Sequence, residues 1–284
     1  MALTSQWVSN QFPDLSQITP IGHGGQKAVF AALHPSDGDV VIKVIHPQTP
    51  ISSVEREVLA VRQAGSARVP QVHDMGIVTD GSGVEHAWIR EQRISGATLR
   101  RRITGGPLPP DQVLRLGVQL LETLACAERA RLVHRDVKPE NIMVDTDGDF
   151  WLLDFGIARH LAMPPETATS APFGKFTPGY APPEQFRNLQ SQIDSRADLF
   201  AVGVTVYEAA TGVNPFRQGA ASDLEVLQRV DRRPFPQLTL ACAAHESLRD
   251  LVDAMTKMRR DHRPRSVQEA LDWMIEVAAR GLAL

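Results

Sequence analysis

Between residues 134 and 154 the chain concentrates groups suited to phosphate chemistry. The run His134-Arg-Asp-Val-Lys-Pro-Glu-Asn141 is followed, thirteen residues after its asparagine, by Asp154-Phe-Gly156. Two carboxylates, an amide and a lysine at this spacing offer a proton acceptor, hard oxygen ligands for a divalent cation and a compact positive charge. Upstream, Gly22-His-Gly-Gly-Gln-Lys-Ala-Val29 sets glycines between two β-type runs, where backbone amides can approach a phosphate with no Cβ in the way. Val40-Val-Ile-Lys43 then places a lysine inside an apolar strand, a costly position unless the ammonium is paired. Lysine is scarce here. Only Lys27, Lys43, Lys138, Lys175 and Lys257 stand among 30 basic residues, so each surviving lysine poses a question.

Taken together, these motifs resemble the eukaryotic-type protein kinases, and in particular their bacterial serine/threonine branch. Val40-Val-Ile-Lys43 is similar to the family's lysine-bearing third strand, residues 22–29 to its glycine-rich loop, and Pro182-Pro-Glu184 to its Ala-Pro-Glu element. Asp194-Ser-Arg-Ala-Asp198 and Arg263 stand where the family has a buried helix start and an arginine paired with the glutamate of that element. The resemblance runs in the family's order from about residue 15 to 278. It implies an α+β, bilobal protein-kinase-like fold forming a single kinase domain over residues 1–284. The β-rich N-lobe, with one main helix, would span about 12–92, and the larger α-helical C-lobe about 95–280.

The resemblance also implies roles. Asp136 accepts or orients the proton of the substrate hydroxyl, Lys138 neutralises the transferring phosphoryl group, and Lys43 contacts the α- and β-phosphates of ATP. Asn141 and Asp154 hold Mg2+, with Mn2+ as an alternative ion. The nucleotide is lined by Ile21, Gly22, Gly24, Val29, Val41, Lys43, Gln92, Ile94, Met143 and Asp154, with Gln92 and Ile94 offering backbone hydrogen bonds to adenine. For the buried Lys43 the helix expected over Ser52–Ala64 offers Glu57 as partner, with Glu55 as the alternative. Lys138 and Phe176-Thr-Pro-Gly-Tyr180 resemble the serine/threonine branch, in which Thr177 bonds to Asp136 and Lys138. His134 reads as a packed structural residue. Arg135 suits a phosphorylated activation segment, which makes Thr167, Thr169 and Ser170 candidate phosphosites.

Some positions depart from the family or stay open. Lys27 replaces the third glycine of the loop, either to assist phosphate binding or to face solvent. Glu91 falls at the gatekeeper, through a register slip of one residue or as part of a salt bridge behind the adenine. Val41 stands where the family usually has alanine. Glu140 either favours a basic residue in the substrate or is a solvated carboxylate. The run Leu99-Arg-Arg-Arg102 is either a site for an acidic partner or, on the reading preferred here, a solvated helix face.

The elements that must position these groups are legible as patterns. Ile18–Leu33, Val40–Ile45, Val72–Val78 and Val84–Glu91 read as strands, with turns at Pro35–Gly38 and Asp80–Gly83. After Ile94 the period becomes helical, with helices expected at Pro110–Arg131, Asp194–Thr211, Ala221–Val230, Glu246–Met258 and Ser266–Arg280. A net charge of −3 gives no electrostatic case for nucleic acid or a membrane surface. Residues 1–12 lack the pattern of a signal peptide, and the longest apolar stretch, Leu199–Tyr207, is half a membrane span. Cys126 and Cys242 read as small core residues. These features predict a cytoplasmic protein, either a wholly soluble enzyme or the catalytic part of a longer one. The expected activity is transfer of the ATP γ-phosphate to protein Ser/Thr hydroxyls, including those of the chain's own activation segment. The alternatives are a pseudokinase scaffold or nucleotide-sensing module, and a small-molecule phosphotransferase. Protein substrates are the partners implied, and nothing in the residues argues for dimerisation.

Overall fold

The computed structural model describes residues 3–23, 27–47, 54, 58, 62, 65–155, 159–160, 176–239 and 245–281. The chain divides into two compact units, Met1–Gln63 with Pro70–Ser95 and Ala64–Val69 with Gly96–Leu284.

The first unit is built on five antiparallel strands, β1 (Ser16–His23), β2 (Lys27–His34), β3 (Gly38–Ile45), β4 (Val72–Thr79) and β5 (Glu85–Gln92), in the order β1-β2-β3-β5-β4. Side chains alternate across a strand, so each strand divides its residues between two faces. Ala28, Phe30 and Ala32 of β2 and Val40, Ile42 and Val44 of β3 share one face and form a buried core. That face is covered by helix α1 (Ser5–Gln11), whose Trp7 and Val8 join the same core. The sequence patterns do not announce α1, although Thr4 caps it by accepting from the Trp7 N–H at 3.2 Å. The opposite face of β2 and β3 carries Val29, Val41 and Lys43. The turn expected at Asp80–Gly83 is held by the Asp80 carboxylate, which accepts from the backbone N–H groups of Ser82 at 2.8 Å and Val84 at 3.1 Å. Within the helix expected over 52–64, the described residues Val54, Val58 and Arg62 are helical and both valines are buried. Glu55 and Glu57 lie outside the described residues.

The second unit is organised around α3 (Pro110–Arg129), an amphipathic helix whose Val113, Leu116, Leu120 and Leu124 are buried. It packs against α8 (Val267–Gly281) and α5 (Arg196–Thr211). Helix α5 is apolar around most of its circumference and is correspondingly buried, and it ends on Gly212 in the left-handed conformation. Helices α6 (Asp223–Arg232) and α7 (His245–Met255) complete the helical part among the described residues, while α2 (Leu99–Thr104) and α4 (Pro183–Phe186) are short. A small sheet of β6 (Gly96–Thr98), β8 (Ile142–Asp145) and β9 (Phe150–Leu152) lies beside a two-stranded ribbon of β7 (Leu132–Val133) and β10 (Arg159–His160). Gly96 is required where β6 begins. Its φ is +151°, and a Cβ there would lie 2.0 Å from the Val144 carbonyl oxygen. No helix among the described residues is long and apolar enough to cross a membrane.

Candidate active site

The loop after β7 carries His134, Arg135 and Asp136, and backbone hydrogen bonds set its path. Asp198, at the start of α5, accepts from the backbone N–H of His134 and of Arg135, each at 2.8 Å. Full burial pushes the Asp198 carboxyl above its ordinary pKa, opposed by His134 and by these two N–H donors. Arg135 takes φ = +68°, a left-handed conformation that turns the chain so that Asp136 follows. The Arg135 carbonyl in turn accepts from the Gln185 side chain at 2.6 Å.

His134 is fully buried, as its reading as a packed residue requires. Its Nδ1 accepts from the Asp136 N–H at 3.2 Å, which leaves Nε2 to donate to the Leu153 carbonyl at 3.0 Å. The ring therefore ties the loop bearing Asp136 to the residue before Asp154. The β8–β9 hairpin makes the same connection from the other side. Ile142 pairs with Leu152, so Asn141 and Leu153 face each other, and the Leu153 N–H donates to the Asn141 carbonyl at 2.8 Å. Asp154 follows Asn141 by thirteen residues, and the register places it one residue beyond Leu153, the residue that faces Asn141. Asp154 adopts φ = +67°.

The Asp136 carboxylate is held by three side chains. Oδ1 accepts from the Thr177 hydroxyl at 2.6 Å, and Oδ2 accepts from Lys138 Nζ at 2.7 Å and from Asn141 Nδ2 at 2.8 Å. Lys138 also donates to Thr177 Oγ1 at 2.8 Å, closing a triangle of Asp136, Lys138 and Thr177. The expected bonding of Thr177 is thus present in full. Asn141 Nδ2 donates to the Asp136 backbone carbonyl as well, at 2.8 Å. With both contacts made through the nitrogen, the amide oxygen is the atom Asn141 has left for a cation.

Around this centre lies a platform of fixed charges. Arg263, with no exposed side-chain surface, grips Glu184 through Nη1 at 2.6 Å and Nη2 at 3.1 Å. Within the run Leu99–Arg102, Arg101 and Arg102 are exposed, as the expected solvated face requires, whereas Arg100 is engaged within the chain. It donates to Glu140 at 2.7 Å, to Glu208 at 2.6 Å and to the Tyr180 hydroxyl at 2.5 Å, while Tyr180 itself donates to Glu208. Glu140 is accordingly partnered within the chain. The sequence patterns give Tyr180 no role beyond its motif and do not single out Glu208, although an acid near the end of the largely apolar helix α5 is a signal that a cation must come to it. The tyrosine hydroxyl is pushed far above its usual pKa by burial and by the adjacent Glu208.

In the first unit, Lys43 lies opposite Val29 on β2 and Ile89 on β5. Its Nζ is 2.6 Å from Glu91 Oε1, and both residues are buried. Of the two accounts of Glu91 left open by the sequence, the salt bridge is the one present. The Gln92 N–H donates to the Gln71 carbonyl at 2.8 Å, which commits that donor to the sheet. Gly22 pairs with Val29, Ile21 is exposed, and Met143 pairs with Trp151 in β8–β9. Gly24, Glu57, Thr167, Thr169 and Ser170 lie outside the described residues, so the glycine-loop tip, the helix partner of Lys43 and the phosphosites stay as expectations.

Comparison with known proteins yields one consistent result. The profile of the family described as "Protein kinase domain" matches residues 15–274. The chain is 37% identical over 218 residues to the serine/threonine-protein kinase PknL of Mycobacterium tuberculosis, covering 74% of this chain and 52% of that protein. It is 34% identical over 229 residues to the serine/threonine-protein kinase pkn3 of Myxococcus xanthus, covering 76% of this chain and 41% of that protein. The chain thus spans about half the length, or less, of these relatives.

Proposed function

The chain belongs to the protein kinase family, and from that premise we propose that it is an ATP-dependent serine/threonine protein kinase of the bacterial type. The observation that carries this reading is the triangle of Asp136, Lys138 and Thr177, a carboxylate and an ammonium fixed side by side with a hydroxyl bonded to both. Phosphoryl transfer asks little covalent help of a protein and a great deal of positioning and charge neutralisation. Asp136 receives the hydroxyl of a protein Ser or Thr and takes or orients its proton, because its carboxylate is held by three donors. Lys138 places its ammonium beside that carboxylate, where charge accumulates on the moving phosphoryl group. Asn141 and Asp154 fit Mg2+: one brings an amide oxygen, the other a carboxylate, and Asp154 directly follows the residue that the hairpin sets opposite Asn141. Magnesium draws its remaining ligands from water and phosphate rather than from a full protein cage. When bound, the ion neutralises phosphate charge. Lys43 supplies a point charge to the α- and β-phosphates, a role for which a rotatable ammonium suits better than a planar guanidinium. Ile21, Gly22, Gly24, Val29, Val41, Met143, Ile94 and the carbonyl of Gln92 line the nucleotide. The substrates are proteins, the activation-segment residues Thr167, Thr169 and Ser170 among the candidates, and the setting is the cytoplasm, where ATP is supplied.

The test is transfer of label from radiolabelled ATP with magnesium to a generic basic protein. The native chain transfers label, and Asp136→Ala reduces the rate by about 100-fold or more, in line with loss of acid–base and positioning roles. Lys43→Met reduces it comparably. Undiminished transfer by both variants would refute the mechanism.

A further inference from the structure

We infer that Glu91 is a positioning residue for Lys43, an anionic partner built into the sheet itself. This rests on the reading of Lys43 as the phosphate-contacting lysine. The register dictates the juxtaposition. Residues directly opposite in neighbouring strands share a face, and Glu91 lies opposite Val41. Val41 and Lys43 are two apart on β3, so they share that face too. Glu91 is therefore the diagonal neighbour of Lys43, within the reach of two long side chains, and the pair closes to 2.6 Å. Each member is only 9% exposed, as is Val41. A carboxylate at this depth demands a cation, and a lysine at this depth demands an anion.

The placement has a functional consequence. A glutamate on a helix holds a lysine only while that helix is docked, whereas β3 and β5 are hydrogen-bonded neighbours over Val40–Val44 and Trp88–Gln92. Glu91 thus fixes the ammonium from the strand that leads into the adenine-binding connection, whatever partner the helix over 52–64 contributes. Replacing the carboxylate by a neutral amide leaves the buried ammonium without this anion. The ammonium then loses one of the contacts that fix its position, and its grip on phosphate weakens. Because the effect passes through Lys43, a ligand without phosphates is indifferent to it.

Calorimetric binding of MgADP and of adenosine to the whole chain separates the possibilities, using Glu91→Gln, Glu91→Asp and each of these combined with Lys43→Met. Binding of MgADP by the native chain checks the underlying nucleotide reading. Its absence would overturn that reading rather than the role of Glu91. The expected result is that Glu91→Gln weakens MgADP about 5- to 10-fold and leaves adenosine within about twofold. Glu91→Asp, which keeps the charge on a shorter arm, loses less. In the Lys43→Met background neither change at Glu91 alters MgADP affinity more than about twofold. An equal loss for adenosine, an equal loss in the Lys43→Met background, or unchanged MgADP affinity would overturn the proposal. Thermal unfolding confirms that each variant is folded, and where Glu91→Gln is not, the Glu91→Asp cycle reads the same coupling.

Discussion

Arg263 allows a substitution to be worked through from the geometry. A guanidinium has five N–H donors, and all five are used. Nε donates to the Lys257 carbonyl at 2.7 Å, Nη1 to Glu184 at 2.6 Å and to the Arg196 carbonyl at 2.9 Å, and Nη2 to Glu184 at 3.1 Å and to the Met258 carbonyl at 3.1 Å. Its carbon Cζ also lies 5.1 Å from the centre of the Phe200 ring. Arg263→Met fills similar space but leaves the Glu184 carboxylate, 5% exposed, without its cation, and three carbonyls without this donor. Breaking a buried pair from one side costs about 3–5 kcal/mol. At about 2–4 °C per kcal/mol for a chain of this size, the unfolding midpoint falls by about 6–20 °C. Differential scanning calorimetry at neutral pH reads it directly. A further arm identifies the cause. Arg263→Met combined with Glu184→Leu recovers part of the loss, because the stranded charge is gone. A midpoint lowered by less than about 2 °C, or a double variant no better than the single one, would refute this account of the pair.

Two other expectations follow from the same kind of reasoning. Thr177→Val removes a hydroxyl bonded to two charged groups, each such bond contributing about 1.5–3 kcal/mol, so turnover in the labelled-ATP assay falls about 10- to 100-fold, while Thr177→Ser keeps most of it. Asp80 is held well below the usual carboxylate range, first by the Ser82 hydroxyl and then by the Val84 and Ser82 backbone N–H groups. Its folded-state value lies below the unfolded one, so its stabilisation is present above the unfolded value near 3.8 and fades as the pH falls below it. Denaturant titrations of Asp80→Asn across that range should show a shallower acid loss than the native chain.

How much of this was legible beforehand depended on how local each cause is. Asp136, Lys138 and Asn141 lie within six residues, so spacing alone announced them, and a short hairpin sets the residue before Asp154 opposite Asn141. The long helix Pro110–Arg129 was equally plain, because its apolar period is sustained over many turns. The engagement of Arg100 is not legible, for the opposite reason. Whether one face of a short helix is solvated depends on what packs there, and its partner Glu208 stands 108 residues later. The pairing of Glu91 with Lys43 is likewise invisible until β3 and β5 are placed in register, since a slip of one residue would turn Glu91 to the other face. Helix α1 is too short for its apolar period to register, and only its Thr4 cap marks it.

The scarcity of lysine acquires a physical reading from the same geometry. Where the chain must join two planar acceptors or several carbonyls, it uses arginine: Arg263 forks onto Glu184, and Arg100 divides its donors among Glu140, Glu208 and Tyr180. A rigid fork serves those positions because the acceptors do not move. On the proposed function Lys138 faces a different demand, since its ammonium bonds a carboxylate and a hydroxyl beside it and is also to turn toward a phosphoryl group in transit. On the same proposal, Lys43 holds Glu91 and still presents donors to phosphate. Three equivalent donors on a rotatable head meet that requirement, and five donors fixed in a plane do not. Lys257 shows the contrast: it pairs with Asp253 four residues away at 2.7 Å, both side chains about half exposed, a surface pairing that asks for no such freedom.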